Sequence, residues 1–318
     1  MEVGGELERV CADLNLTIGE LKGDGYRLDL IYPADDPHSA VLSSPDGNVR
    51  LTTRPGAPRP TADLPPFEPE FLLSAAGDDG GAGRAGMLYR DLIPSRLGGR
   101  YVASLIRIPV GGPVADWVHY HRVGFQMIAV RAGWVRVVYE DQGPPFVMHA
   151  GDIVLQPPGI RHRVLASSDG LEVIEIGCPA LHETFADHDL ELPNEGLDPQ
   201  RSFDGQCFLR HTAAETNWTA FAAGEAQETA MRDATGGRAE VRIIRPRGAE
   251  PIDVLPHDGE LVFGFILGGT AELIFGGNFP IGPGDAFVIP PGEPWTLDGA
   301  SPDFRLLHVT TSRLGQFA

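Results

Sequence analysis

Cysteine is nearly absent. Cys11, Cys178 and Cys207 are odd in number and far apart, which argues against a disulfide framework or a CxxC zinc site and points to a reducing, cytoplasmic setting. No apolar run is long enough to span a bilayer, so no membrane partner is expected. The opening residues, MEVGGELERVCADLNL, lack the basic start and apolar core of a secretory signal. Basic residues are few: 25 Lys and Arg stand against 44 Asp and Glu, a formal net charge of −19. Binding phosphates takes clustered Lys and Arg, and residues 1–85 carry no basic helix-turn-helix pattern. No nucleic-acid partner is expected, and the acidity is read as a solubility device. Long amphipathic helices are scarce as well.

Glycine and proline are plentiful. The chain has 40 Gly and 28 Pro over 318 residues, enough length for two domains joined from short strands and tight turns. The spacing of Leu7, Val10, Cys11 and Leu14 predicts a short helix within residues 1–24. Strands are expected at 25–33, 40–44 and 48–54, with SPDG at 44–47 as a turn. Pro, Gly and Asp dominate 55–83, which reads as an extended connector or loop. From Met87 to Gly177 short strands follow one another, the pattern of a double-sheet jelly roll. Residues 179–235 read as a linker with strands able to cross to a neighbouring sheet and a helical expectation over TAAETNWTAFAAGEAQETAMRD (212–233).

The strand pattern then repeats. RAEVRIIRPRG (238–248) parallels RYVASLIRIPVGG (100–112), and PIGPGDAFVIPPGEPW (280–295) parallels MHAGDIVLQPPGIRH (148–162). Gly151 maps to Gly284 and Pro157 to Pro290, an offset of 133 in both cases, while Gly133 is matched to Gly268. An internal duplication follows.

Within the first repeat, His119 and His121 alternate on one short extended run, so both point to the same face. Gln126 lies on the next strand, and the Pro157-Pro158-Gly159 turn delivers His162. Three imidazoles and an amide oxygen on paired strands would make a cage for a divalent metal. The spacing His119-x-His121-x4-Gln126-x6-Gly133 resembles the first cupin motif, and Gly151-x5-Pro157-x-Gly159-x2-His162 resembles the second. With the duplication, the chain resembles a bicupin of the RmlC-like superfamily. The resemblance implies His119, His121, Gln126 and His162 as metal ligands. It departs from the pattern at Pro113, where a glycine is usual, at Ala166, and at Gln126, where the family's acidic ligand usually stands.

The expected architecture is all-β: two jelly-roll barrels in tandem, preceded by an extension of short strands and a helix. Residues 1–85 form the extension and connector, 86–178 the metal-binding barrel, 179–229 the linker and 230–318 a degenerate barrel. In the second repeat Trp295 stands where His162 stands, Leu261 is matched to Gln126, and only His257 and Glu260 remain near the missing ligands. That is too few to hold an ion.

Imidazole and amide donors suit one divalent transition metal: Fe, Mn, Ni, Co or Zn. Three neutral imidazoles and a neutral Gln leave the full charge on the ion, which favours polarising a carbonyl or enolate oxygen. The function expected is a metalloenzyme acting on a small oxygen-rich substrate, keto/enol or sugar-acid-like, by isomerase- or lyase-type chemistry. A cupin dioxygenase using Fe(II) or a similar metal is the first alternative, and a non-catalytic metal- and ligand-binding bicupin the second. Tyr120 alternates outward, and Tyr139, Arg136 and Gln156 lie on adjacent strands; none is assigned as an acid or base. His149, His182 and His188 are expected to face solvent. The pattern also allows a homodimer through the N-terminal strands.

Overall fold

Alternation along one strand sets out the whole molecule. In Phe125–Ala132, Phe125, Met127 and Ala129 point into one apolar core, whereas Ile128 and Val130 point into another. The first core lies between two barrels; the second fills the interior of the first barrel. The protein's structure is a computed structural model describing residues 7–61, 63–77, 80–82 and 87–315.

The first barrel is a jelly roll of two antiparallel sheets. One sheet runs in the order His119–His121, His162–Ser167, Trp134–Tyr139, Phe146–His149. The other runs Ile153–Leu155, Phe125–Ala132, Leu171–Cys178, Val102–Ile108, Leu88–Asp91. The second barrel repeats the plan with Ala239–Pro246, Arg305–Thr311, Val262–Gly268 and Ala286–Val288 in one sheet. Ile252–Val254, Trp295–Asp298, Ala271–Ile274 and Asn278–Ile281 make the other.

The barrels exchange strands. Leu72–Ser74, which precedes the first barrel, pairs with Ala286–Val288 of the second. Leu209–His211, which precedes the second, pairs with Ile153–Leu155 of the first. Each borrowed strand covers a sheet edge that would otherwise carry unpaired N–H and C=O groups. The shared core between the barrels draws Phe125, Met127 and Ile176 from one and Phe263, Phe265 and Val309 from the other. Polar groups lock it: buried Arg100 holds Glu260 through two hydrogen bonds of 2.9 and 2.8 Å, and the Tyr101 hydroxyl donates to the same carboxylate at 3.0 Å. Glu260 is therefore a bridge between barrels rather than a remnant ligand. His257 is likewise engaged elsewhere, its Nε2 2.8 Å from the Thr311 carbonyl.

Three expectations change. The N-terminal helix is Leu14–Gly23, capped by Asp13, whose side chain accepts from the Leu16 N–H; residues 7–10 pair instead as a parallel strand with Gly47–Thr52, and residues 1–6 lie outside the described residues. The connector at 55–83, of which residues 62, 78, 79 and 83 lie outside the described residues, lies partly against the interbarrel core through Leu64, Phe67 and Leu72. The helical expectation at 212–233 gives way to strands Thr219–Phe221 and Gly224–Glu228, with helical turns only at Ala213–Glu215 and Met231–Ala234. Pairing of Gly224–Glu228 with Ala239–Pro246 overrides the local helix preference of the alanines.

The N-terminal strands Arg27–Tyr32, Ser39–Ser44 and Gly47–Thr52 continue the first barrel's sheet. Arg27–Tyr32 pairs with Thr184–Ala186, which pairs with His119–His121. The helix buries Leu14, Ile18 and Leu21 on this meander, with Trp117 against the same cluster.

Candidate metal centre

The strand period of two puts His119 and His121 inward and Tyr120 outward, where it stacks on Phe185 beneath the Arg161 guanidinium. His119 sits directly opposite His162 across the strand pair. Ring centroids are 4.2 Å apart for His119 and His162, 5.2 Å for His119 and His121, and 5.3 Å for His121 and His162. One ligand nitrogen from each of the three lies within 4.8 Å of the others, and all three residues are buried.

Each ring is held by its Nδ1. His119 Nδ1 lies 2.7 Å from the Trp117 carbonyl, His162 Nδ1 3.0 Å from the Ile160 carbonyl, and His121 Nδ1 3.1 Å from Thr184 Oγ1. A carbonyl only accepts, so Nδ1 carries the proton in His119 and His162, and the Thr184 hydroxyl allows the same in His121. Nε2 is then the nitrogen a metal would take from all three. Behind His119 the buried Asp116 carboxylate stands 3.6 Å from Nδ1 while accepting from the Val164 N–H at 2.9 Å.

Gln126 is buried on the facing sheet, its Nε2 donating to Glu175 Oε1 at 2.5 Å. The amide oxygen is the atom it has to offer a cation. Glu175, two positions before Gly177 on the neighbouring strand, lines the cavity together with the three histidines. So do Tyr139 and Gln156: Tyr139 stacks on His162 at 5.5 Å, and Gln156 Nε2 donates to the Tyr139 hydroxyl at 2.9 Å. Burial pushes the Tyr139 phenol well above its ordinary range, so it stays protonated. Ala34, two residues beyond the end of the strand Arg27–Tyr32, completes the wall.

Sequence reading had no handle on Glu175, Thr184 or Asp116, which belong to no motif. His182 is a correction. It is buried, not solvated; burial depresses its pKa; its Nδ1 bonds the Pro179 carbonyl at 2.9 Å and its ring stands edge-on to His121 at 5.5 Å. His188 and His149 are both exposed as expected, with His188 Nε2 2.7 Å from the Leu28 carbonyl.

The second barrel has a filled interior. Gly133 is matched by Gly269, not Gly268: both have positive φ, at 76° and 70°, and the residue after each donates its N–H to an equivalent serine, Ser168 or Ser301. That one-residue shift puts Val262 at the Gln126 position, facing inward, and turns Leu261 to the interbarrel core. Trp295 pairs across to Val254 as His162 pairs to His119. Phe287 lies over Gly264, where an added Cβ would fall 2.2 Å from the ring, and meets Trp295 edge-on at 5.2 Å.

A cupin-domain family model matches residues 104–176 and 241–310, one match in each barrel. The chain is a bicupin of the cupin superfamily. None of the curated proteins matches the bicupin by sequence. Solved structures share its fold at low identity. The Escherichia coli protein YlbA superposes with a TM-score of 0.56 at 13% identity, covering 80% of this chain and 96% of that one. Salicylate 1,2-dioxygenase from Pseudaminobacter salicylatoxidans gives 0.57 at 14%, over 78% and 86%. Oxalate decarboxylase from Bacillus subtilis gives 0.55 at 11%, over 80% and 78%. Among the described residues, no helix is long and apolar enough to cross a membrane, and all three cysteines are free.

Proposed function

We propose that this bicupin is a mononuclear metal-dependent enzyme whose first barrel holds a divalent transition ion through His119, His121, His162 and Gln126, and acts on a small oxygen-bearing molecule by isomerase- or lyase-type chemistry. The observation that carries the reading is the trio of buried imidazoles, each anchored at Nδ1 and together offering ligand nitrogens within 4.8 Å of one another. The donor set fits a borderline transition metal. Bound there, the ion would supply Lewis-acid polarisation of a substrate carbonyl or enolate oxygen.

The chain's own groups divide the remaining work. The Trp117 and Ile160 carbonyls and the Thr184 hydroxyl fix ring orientation before any ligand arrives. Gln126 adds no charge, which leaves the ion strongly electrophilic. Tyr139, kept protonated by burial, can donate from its hydroxyl to a substrate oxygen. Ala34, from the N-terminal segment, contributes to the wall of the cavity.

The test is metal analysis of the purified full chain, followed by assays for product with diketones, hydroxyketones, keto acids and uronates under air and under argon. One metal per chain with oxygen-independent turnover is the expected result. A metal-free protein that cannot be loaded overturns the reading. Strictly oxygen-dependent turnover replaces it with a dioxygenase, and loading without turnover of any candidate favours a binding protein.

A further inference from the structure

Below the level of the histidines the cavity is lined by apolar side chains with one phenol among them, Tyr89, opposite Ile106. On Trp134–Tyr139 the inward positions are Tyr139, opposite His162, then Val137, opposite Val164, then Val135. On Leu171–Cys178 they are Glu175, Val173 and Leu171, the last two opposite Ile106 and Ile108. Each strand thus carries one polar side chain at the metal level and two apolar ones beyond it. Met87 and Met148 extend the same apolar wall. At about 3.3 Å per residue, Val135 lies about 13 Å along its strand from Tyr139.

Charge is equally one-sided. Among the described residues lining the cavity, Glu175 is the only carboxylate and there is no Lys or Arg. A dicarboxylate would set its second carboxylate against apolar walls with no Lys or Arg to meet it, which is costly. A sugar acid would set several hydroxyls against valine, isoleucine and leucine side chains, with the Tyr89 phenol as the one polar side chain among the described lining residues of that layer.

We infer that the substrate is a neutral ketone that enolises, such as a β-diketone or α-hydroxyketone with an aryl or alkyl body: its two oxygens would lie at the level of the histidines, and the apolar body extends down the barrel. The enol proton leaves to solvent on binding. The inference rests on the metal reading above and narrows its substrate from the wider oxygen-rich class, setting sugar acids aside.

The test uses the full chain loaded with Co(II), with binding read from the cobalt absorption bands. The probes are benzoylacetone, acetylacetone, galacturonate and oxalate. Benzoylacetone is expected to bind at least tenfold more tightly than acetylacetone, and both more tightly than the two acids. Val137→Thr and Val173→Thr, which place a hydroxyl in the apolar layer at nearly constant volume, are expected to erode the benzoylacetone advantage at unchanged cobalt content. Cobalt bound with galacturonate or oxalate preferred overturns the inference and leaves the metal centre standing. Equal affinity for the two diketones also overturns it. Failure to bind cobalt overturns the metal reading itself.

Discussion

Thr184 Oγ1 lies 3.1 Å from His121 Nδ1, and Thr184 belongs to the strand that joins the N-terminal sheet to the histidine strand. The N-terminal segment is thereby tied to the orientation of the His121 ring. Thr184→Val keeps the shape and removes the hydroxyl. It is expected to weaken metal affinity by about tenfold or more while the fold survives, measured by chelator competition alongside circular dichroism.

The two barrels should respond differently to loss of equivalent residues. His121→Ala and His162→Ala are expected to empty the site. Trp295→Ala, at the position matching His162, should leave metal content unchanged but cost about 3–5 kcal/mol of stability, because Trp295 is buried against Phe287 and His308. Metal analysis and denaturant unfolding of the three variants distinguish the cases, and equal metal loss in all three would contradict a single site.

Gln126 and Glu175 form a matched donor and acceptor. Gln126→Glu sets two carboxylates against each other and should destabilise the protein by about 1–3 kcal/mol. Exchanging the pair, with Gln126→Glu and Glu175→Gln together, should recover most of that loss. A double variant no better than the single one would show that the hydrogen bond does not govern this position.

The Arg100–Glu260 pair joins the barrels with both side chains buried. Glu260→Ala leaves the guanidinium without its partner carboxylate and should cost about 3–5 kcal/mol. Urea unfolding should show the loss. It should be smaller for Glu260→Ala in an Arg100→Met background, where no buried charge is stranded.

His308 is buried beside Trp295, and burial, with Arg242 and His257 nearby, pushes its pKa down to about 3. The unfolded chain therefore binds a proton between about pH 6.5 and 3 that the folded chain refuses. Its contribution to stability is complete above about pH 6.5 and falls as pH drops towards 3, by at most about 1.4 kcal/mol per pH unit. His308→Asn should flatten the stability profile across that window, as followed by thermal unfolding from pH 4 to 8.

The three clustered histidines were legible because a strand's period converts HxH directly into a shared face, and because glycine and proline mark the turn that delivers His162. Residues that act through pairing left no such trace. Glu175 is one more acidic residue in an alternating strand, and Thr184 lies in what reads as linker. Leu72–Ser74 and Leu209–His211 are too short to declare which sheet they join. The match of Gly133 to Gly268 failed by one residue because Gly268 and Gly269 are adjacent and only backbone conformation separates them.

The exchange of those two short strands means that neither half of the chain is a self-sufficient unit. A cut between Cys178 and Leu209 would leave the histidine-bearing half without the strand on Ile153–Leu155 and the other half without the strand on Ala286–Val288, each with an open template for aggregation. A barrel with Trp295 where the other carries His162 thus remains indispensable as the fixture that completes its sibling.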